Sequence, residues 1–302
     1  MLVENELGIL NQYLVNSLVD DKNRISEDIC DYLSSKSKRI RPVLVFLFAK
    51  AMGIDLDDKV YHLACSVELV HNSTLVHDDI LDNADTRRGK VSLNYKLGNN
   101  LSVLAGDILL SVALRELVKC GSVEAIDAFA ESIYLMCKGE INQNFTIGKL
   151  PTMEEYIQKS EYKTAELFKA PLTSLCLIKN KSAKDNVLSF ARNFGIAFQI
   201  KDDLLNILKN DPTKPVMSDI HNGIYTAPVL FLNNDINCVS ELSEDQIIEK
   251  LQANRKYIEK TVDLIKEYAD KAIEAISFIE DNQYKQEIIK LTKNLYEAGI
   301  NE

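Results

Sequence analysis

The sequence predicts an all-α protein, and three features of the chain support this. Glycine and proline, which interrupt helices, number only 11 and six in 302 residues. Apolar residues make up 46% of the chain, yet no long stretch alternates apolar and polar residues as a half-buried strand would. Apolar residues instead recur every three or four positions, as on one face of a helix. Since no repeat or linker is evident, we expect a single-domain helical bundle over residues 1–302, with a central cavity.

The helices of the first half are placed by apolar spacing and by the residues that interrupt it. They cover, in chain order, residues 4–19, 25–35, 42–52, 58–82, 101–119 and 122–145. Pro42 suits the first position of its helix, because its fixed φ is already helical. The helix over 58–82 has a predicted buried stripe of apolar and small residues: Val60, Leu63, Ala64, Val67 and Val70.

The second half continues in the same way. Pro151 interrupts the chain, and a helix is expected from Met153, with a kink or boundary at Pro171. A further helix covers 183–208, and a polar loop follows over 210–223. Ser243 and Gln246 have the spacing of a capping box that opens the C-terminal helices. Those helices carry a stripe at 3–4 spacing: Ile258, Val262, Ile265, Ala269, Ala272 and Ile276.

Three carboxylates at the end of the 58–82 helix form the most informative motif. Asp78, Asp79 and Asp82 stand at positions i, i+1 and i+4, so the first and last share a helix face, about 6 Å apart along the axis. They end the helix, where the macrodipole favours a cation. Arg87 and Arg88 follow, and their forked donors suit phosphate oxygens. Taken alone, such an acidic cluster is often only a solvated helix face.

A second acidic cluster strengthens the interpretation. Asp202 and Asp203 follow an apolar helical run, and Asn206 stands where a third carboxylate would share their face. Two such clusters at helix ends could face each other across a cavity. Mg²⁺ typically combines one or two carboxylates with substrate phosphates. The sequence therefore predicts a Mg²⁺–diphosphate site, with Mg²⁺ as the expected cofactor.

Composition excludes other classes of function. A net charge of −10 argues against a nucleic-acid partner, although bound metal ions can still attract anionic substrates. The six cysteines show no CxxC pair, which fits a reducing compartment. The N-terminus lacks the features of a signal peptide, and no apolar stretch reaches the roughly 18 residues of a membrane span. We expect a soluble, cytoplasmic protein.

Several ordered motifs can be compared with known families. They are, in chain order, Lys38-Arg39-Ile40-Arg41-Pro42, His71-Asn72-Ser73-Thr74-Leu75-Val76-His77-Asp78-Asp79, Ala105-Gly106-Asp107, Lys163-Thr164, Gly195-Ile196-Ala197-Phe198-Gln199, and the set Lys214, Pro215, Asp219, Gly223 and Thr226. In this order they resemble the motifs of the trans-isoprenyl diphosphate synthases, the polyprenyl synthase family. The resemblance implies the helical isoprenoid synthase fold and a homodimer.

The resemblance also implies a reaction. An allylic diphosphate such as farnesyl diphosphate ionises, the double bond of isopentenyl diphosphate attacks the carbocation, and a proton leaves to the released diphosphate. By resemblance, three carboxylates hold metal: Asp78, Asp82 and Asp202. Asp79 and Asp203 support them, and Lys163 is counted among the catalytic groups. The allylic diphosphate is assigned to Arg87, Lys163, Thr164, Gln199 and Lys214. Isopentenyl diphosphate is assigned to Lys38, Arg41, His71 and Arg88.

Chain length depends by resemblance on the residues one turn before Asp78. Ser73 and Thr74 are small there, whereas large aromatic residues at these positions stop chain growth early in the family. We therefore expect a long product, from heptaprenyl to nonaprenyl with octaprenyl diphosphate first, for use as a quinone side chain. His71 alone would equally suit a hydrogen-bonded core histidine.

Two departures from the family pattern leave alternatives open. Asn206 replaces the last aspartate of the second motif, and Ile224 replaces a lysine that many members carry after Gly223. The amide removes one negative charge, so a third metal would bind more weakly. The alternatives are a short-chain farnesyl or geranylgeranyl diphosphate synthase, a subunit of a hetero-oligomeric synthase, a terpene cyclase on the same fold, and a purely structural helical protein.

Overall fold

The computed structural model describes residues 2–18, 24–35, 37–208 and 217–297. Helices dominate these residues, as predicted, and the sheet among them is a two-stranded antiparallel hairpin. The chain divides into two compact units. The first comprises Met1–Phe129, Ala170–Lys184 and Glu280–Glu287; the second comprises Ala130–Lys169, Asp185–Ile279 and Ile288–Glu302. The single-domain organisation stays a prediction.

Short connections join most of the helices and strands. From the N-terminus they are α1 (Glu4–Leu18), α2 (Arg24–Leu33), α3 (Ile40–Ala51), α4 (Asp58–Leu81), β1 (Thr86–Arg87), β2 (Lys90–Val91), α5 (Leu93–Leu97), α6 (Asn99–Lys119) and α7 (Val123–Phe145). They continue with α8 (Met153–Ser160), a π-turn (Glu161–Ala165), α9 (Glu166–Ile178), α10 (Lys184–Leu208), α11 (Ser218–His221), α12 (Ala227–Ile236), a 3₁₀ turn (Val239–Glu241), α13 (Glu244–Ala253), α14 (Lys256–Ala275) and α15 (Gln283–Glu297).

Most predicted helices are confirmed, with local corrections. The helix predicted to begin at Pro42 begins at Ile40, because Arg39 adopts a left-handed conformation (φ 45°) before it. Pro171 lies inside α9 and does not end it, so the boundary alternative was wrong. The capping box of Ser243 and Gln246 is present at the start of α13.

The core of the first unit is built on α4. Every residue of its predicted stripe is fully buried. Gly106 of α6 lies against α4 so closely that a side chain there would collide with the His77 ring. Ser73 of α4 donates a hydrogen bond to the Gly106 carbonyl at 2.8 Å. The close approach of α6 therefore fixes the face of α4 that precedes the first acidic motif.

The second unit has two apolar clusters beside α10. Phenylalanine rings of α9 and α10 pack together, and the centroid of Phe194 lies 5.1 Å from that of Phe168 and 5.5 Å from that of Phe190. Below the end of α10, Ile207 packs in a second cluster with residues that follow it in the chain: Met217, Ile220, Val229, Leu232, Val239, Ile247, Leu251 and Tyr257. These contacts hold the end of α10, where the second acidic motif lies.

Candidate active site

The three carboxylates of the first acidic motif differ in how far they are buried. Asp82 is exposed and ends α4, its main-chain N–H donating to the Asp78 carbonyl at 2.8 Å. Asp78 is half-buried, and Asp79 is only 1% exposed. Adjacent helical residues point about 100° apart, so two neighbouring aspartates cannot face the same way. Asp78 and Asp82 are therefore the accessible pair, and Asp79 points inward.

Arg87 neutralises the inward carboxylate. Its Nε donates to Asp79 Oδ1 at 2.7 Å, and its Nη2 donates to the same oxygen. Burial raises the pKa of Asp79, and the hydrogen bonds from Arg87 oppose that rise. Three of the five guanidinium N–H groups stay available for a ligand. The arginine is thus fixed by one carboxylate while it keeps donors for another anion.

A tight hairpin presents the two arginines. Arg87 pairs with Lys90, so the turn consists of Arg88 and Gly89, which have φ values of 53° and 75°. Two positive φ values are typical of a type I′ turn, and a side chain other than that of Asn or Gly is uncommon there. Two ion pairs connect helix α2 to the hairpin and to α5. Lys90 donates to Asp31 at 3.0 Å and Lys96 to Asp28 at 2.6 Å.

The residues assigned by resemblance to isopentenyl diphosphate lie in the same unit. Lys38 is exposed, Arg41 is buried, and Arg88 reaches the Asn72 Oδ1 at 3.3 Å. Burial lowers the pKa of Arg41 to about 10. Burial holds the pKa of His71 well below its ordinary value, and the positive charges of the neighbouring guanidinium groups lower it further. The imidazole is therefore neutral at pH 7, and the arginines supply the positive charge.

Two residues of α4 that were given no role from the sequence organise this cationic cluster. Glu68 is 3% exposed and accepts from Asn72 Nδ2 at 3.3 Å and from Ser37 Oγ at 3.5 Å. Asn72 in turn accepts from Arg88. Positions 68 and 72 are one helical turn apart and flank His71. That spacing is visible in the sequence and marks them as part of the same face.

Tyr32 of α2 is a further residue that sequence reasoning missed. It is 7% exposed, and its hydroxyl has no hydrogen-bond partner among the described residues. Burial raises its pKa, the Asp79 charge adds to the rise, and Arg87 opposes it. Tyr32 therefore borders the pair formed by Asp79 and Arg87.

The two carboxylates of the second acidic motif also differ in how far they are buried. Asp202 is exposed, and Asp203 is 6% exposed. Tyr156 donates its hydroxyl to Asp203 Oδ2 at 2.7 Å, and Gln199 Nε2 donates to Oδ1 at 2.6 Å. The Gln199 carbonyl accepts from the Thr164 hydroxyl. Burial raises the pKa of Asp203, and Lys159 and these hydrogen bonds oppose the rise.

A π-turn positions Lys163 and Thr164. Helix α8 passes into α9 through the π-turn Glu161–Ala165. Glycines allow close packing against it: a side chain at Gly195 of α10 would collide with Ala165, and one at Gly139 of α7 with Tyr162. Lys163 donates to Glu140 at 2.9 Å. Such turns occur frequently at functional sites.

The remaining predicted residues are placed as follows. Ser73 is 2% exposed, and the half-buried Thr74 donates its hydroxyl to the His71 carbonyl at 2.8 Å. Lys214 lies outside the described residues. Gln199 and Thr164, expected to contact the allylic diphosphate, are hydrogen-bonded to each other, and Gln199 is also bonded to Asp203. Their contact with a diphosphate stays a prediction.

The accessible donors suit a hard cation. Asp82 and Asp202 are exposed carboxylates, and Asp78 is half-buried beside Asp82. Within residues 2–18, 24–35, 37–208 and 217–297, no group of three His, Cys, Asp or Glu side chains forms a metal cage. The exposed carboxylate oxygens are of the kind that bind oxygen-preferring divalent cations together with water and substrate phosphates.

Comparison with known proteins identifies the family. The sequence model of the polyprenyl synthetase family matches residues 23–267. Solanesyl-diphosphate synthase 1, mitochondrial, of Oryza sativa subsp. japonica is 32% identical over an alignment of 314 residues. The alignment covers 93% of this chain and 73% of that protein. The chain belongs to the polyprenyl synthetase family and is a trans-prenyltransferase.

Solved structures agree with this assignment. The heptaprenyl diphosphate synthase of Staphylococcus aureus superposes with a TM-score of 0.89 at 27% identity, covering 97% of this chain and 98% of that one. A polyprenyl synthase of Caulobacter crescentus CB15, in complex with calcium and isoprenyl diphosphate, gives 0.87 at 26% identity and covers 98% and 95%. The predicted isoprenoid synthase fold is confirmed.

No helix among the described residues is long and apolar enough to cross a membrane.

Proposed function

We propose that this prenyltransferase condenses isopentenyl diphosphate head to tail with an allylic diphosphate, such as farnesyl diphosphate, to give a long-chain trans-polyprenyl diphosphate. The observation that carries the proposal is the pairing of each accessible aspartate with a buried, hydrogen-bonded neighbour at Asp78–Asp79 and Asp202–Asp203. In each pair the buried carboxylate is hydrogen-bonded to its neighbours, and the adjacent carboxylate stays accessible on another face of the helix.

In the proposed reaction the allylic C–O bond breaks and its electron pair leaves with the diphosphate. The double bond of isopentenyl diphosphate then forms the new C–C bond, and a proton is lost to the released diphosphate. Mg²⁺ held by Asp78 and Asp82, and by Asp202, would stabilise the negative charge of the leaving group. In the first unit the donors of Arg87 would bind diphosphate oxygens, and in the second unit the ammonium of Lys163 would do so. No side chain is needed as the base.

Isopentenyl diphosphate would bind to the cationic cluster of the first unit. Arg88 is held by Asn72, and Glu68 accepts a hydrogen bond from the same asparagine. The neutral imidazole of His71 would donate or accept one hydrogen bond without adding charge. This division gives the attacking substrate a site that needs no metal.

Magnesium is the proposed cation because the accessible donors are carboxylate oxygens. The solved Caulobacter relative was crystallised with calcium, another oxygen-preferring divalent cation. A softer metal would favour thiolate ligands, and neither acidic motif contains a cysteine.

A long product is supported by the small residues Ser73 and Thr74. The rice relative is named for a nonaprenyl product and the staphylococcal one for a heptaprenyl product. Octaprenyl diphosphate stays our first choice, and its use as a quinone side chain is part of the proposal. A cytoplasmic location stays a prediction, since the rice relative is named as mitochondrial.

A homodimer is also proposed. On α6, Leu104, Leu114 and Val118 are exposed and, with Ser111, lie on one helix face at spacings of three, four and seven. An apolar stripe on a surface helix marks a contact face, and a second copy of this chain would cover it. Sedimentation equilibrium of Leu114→Asp tests this directly. A charged side chain in the middle of the apolar contact should prevent association, so this variant is expected to be a monomer.

One incubation separates the candidate functions. Purified protein receives Mg²⁺, farnesyl diphosphate and labelled isopentenyl diphosphate, and the dephosphorylated products are separated by chromatography. A linear long product supports the proposal, and one extended only to geranylgeranyl length supports a short-chain synthase. A cyclic hydrocarbon supports a terpene cyclase. Turnover that requires a second polypeptide supports a subunit role, which the substitutions at Asn206 and Ile224 motivate.

A further inference from the structure

Asn206, the last residue of the second motif, is hydrogen-bonded to the residues that open α11. Its Nδ2 donates to Ser218 Oγ at 2.7 Å, and its Oδ1 accepts from the Asp219 N–H at 3.3 Å. Its main-chain carbonyl accepts from the Met217 N–H at 3.0 Å. Both ends of the side-chain amide are therefore engaged within the chain.

The segment that receives these bonds is fixed on its other side by packing. Met217 is 3% exposed and lies in the apolar cluster with Ile207 and Ile220. Its φ of 61° is left-handed, a conformation that a residue with a long side chain adopts only where its surroundings hold it. The Asp219 carbonyl accepts from the Ile224 N–H at 2.7 Å. Asn206 supplies the polar attachment of this segment to α10.

We propose that Asn206 is a positioning residue that fastens Ser218 and Asp219 to α10, and that it is not a metal ligand. The inference rests on the proposed function, in which the second motif binds metal. A cation on Oδ1 would have to share this oxygen with the Asp219 N–H, which already uses one of its two lone pairs. The amide also donates to Ser218, which a carboxylate at this position could not do. Position 206 therefore fastens α11 and does not bind metal. In this motif the accessible oxygen donors are those of Asp202.

The fastening is tested by thermal unfolding of the metal-free protein. Asn206→Ala removes two side-chain hydrogen bonds and is expected to lower Tm by about 2–4 °C. Ser218→Ala should lower Tm by less, and the double variant should unfold no earlier than Asn206→Ala alone. Asn186→Ala, at an exposed asparagine in the first turn of the same helix, is the control and should stay within about 1 °C. Fully additive losses in the double variant would overturn the pairing.

The metal role is tested with inorganic diphosphate as the probe. Calorimetry at fixed Mg²⁺ measures its apparent Kd for the wild type, Asn206→Asp and Asp202→Ala. We expect Asn206→Asp to stay within about threefold of the wild type and Asp202→Ala to bind much more weakly. A larger tightening by Asn206→Asp would make position 206 a ligand site and overturn the inference. If wild-type protein bound no diphosphate, the proposed function would fail, while the unfolding experiment would still report on the fastening.

A kinetic comparison separates positioning from general stability. Asn206 lies one helical turn after Asp202, so loosening this part of α10 should disturb the proposed metal–diphosphate site of the second motif. Asn206→Ala and Ser218→Ala are therefore expected to raise KM for farnesyl diphosphate about five- to tenfold and to leave KM for isopentenyl diphosphate within about twofold. Ser218→Thr keeps the hydroxyl and should restore the wild-type value. An equal rise in both KM values, or no rescue by threonine, would contradict a positioning role.

Discussion

Replacing Tyr156 by phenylalanine tests how the buried carboxylate of the second motif is stabilised. Tyr156 is fully buried, and its hydroxyl donates to Asp203 Oδ2 at 2.7 Å. A hydrogen bond to a charged group contributes about 1.5–3 kcal/mol, and its loss here leaves a buried carboxylate oxygen without that donor. With about 2.1 cal/mol/K of unfolding entropy per residue, a 302-residue chain should lose about 2–5 °C in Tm.

The measurement is a thermal melt of Tyr156→Phe beside Tyr257→Phe. Tyr257 is 4% exposed among apolar residues of the same unit, and its hydroxyl interacts with the exposed Lys256, so its variant controls for loss of a tyrosine hydroxyl that does not stabilise a buried carboxylate. The change should largely disappear in an Asp203→Ala background, because the acceptor is then absent. A Tm within about 1 °C of the wild type would refute the reasoning, and so would equal losses with and without the Asp203 carboxylate.

Three other predictions concern the two acidic motifs and the part of α4 that precedes the first of them. Asp78→Ala, and separately Asp202→Ala, should reduce kcat by roughly 10²–10³, as loss of a single electrostatic stabiliser does; near-wild-type turnover at saturating Mg²⁺ would contradict the assignment. Ser73→Phe should shorten the product, measured by chromatography beside Ser73→Ala, and an unchanged length distribution would show that Ser73 does not line the path of the growing chain. His71 has a depressed pKa in the folded state, so the unfolded chain binds its proton first and stability falls as pH drops below about 6.5, by up to about 1.4 kcal/mol per pH unit. His71→Gln should have a shallower loss of unfolding free energy between about pH 6.5 and 5 in urea melts, and an identical slope would contradict a neutral imidazole with a depressed pKa.

The long helices could be predicted because their burial pattern is regular. The stripe of α4 is buried as expected, since small and apolar residues recur on one face. In α14 and at Ile276, which caps it, the last four residues of the predicted stripe are buried, but Tyr257 and Thr261 are buried in place of Ile258 and Val262. Tyrosine and threonine can occupy such positions when their polar atoms find partners, and Thr261 donates to the Tyr257 carbonyl at 2.7 Å.

The hairpin and the π-turn could not be predicted from local sequence. Each strand of the hairpin has two residues, too short for an alternating pattern, and Arg88 stands at a turn position where asparagine or glycine is usual. The π-turn depends on the absence of side chains at Gly139 and Gly195, which are distant from it in the chain. The charged site residues could be recognised, but their partners are far away in sequence. Tyr156 is 47 positions from Asp203.

The two acidic motifs stabilise their inner carboxylates by different means. At Asp79 a guanidinium provides the donors, so the buried negative charge is balanced by a full positive charge. At Asp203 both direct donors are neutral, the Tyr156 hydroxyl and the Gln199 amide. Neutral donors satisfy the carboxylate oxygens without cancelling the charge. The compensating positive charge comes instead from Lys159, which acts on Asp203 through space and not as a hydrogen-bond donor, so the buried charge of the second motif is balanced less directly than that of Asp79.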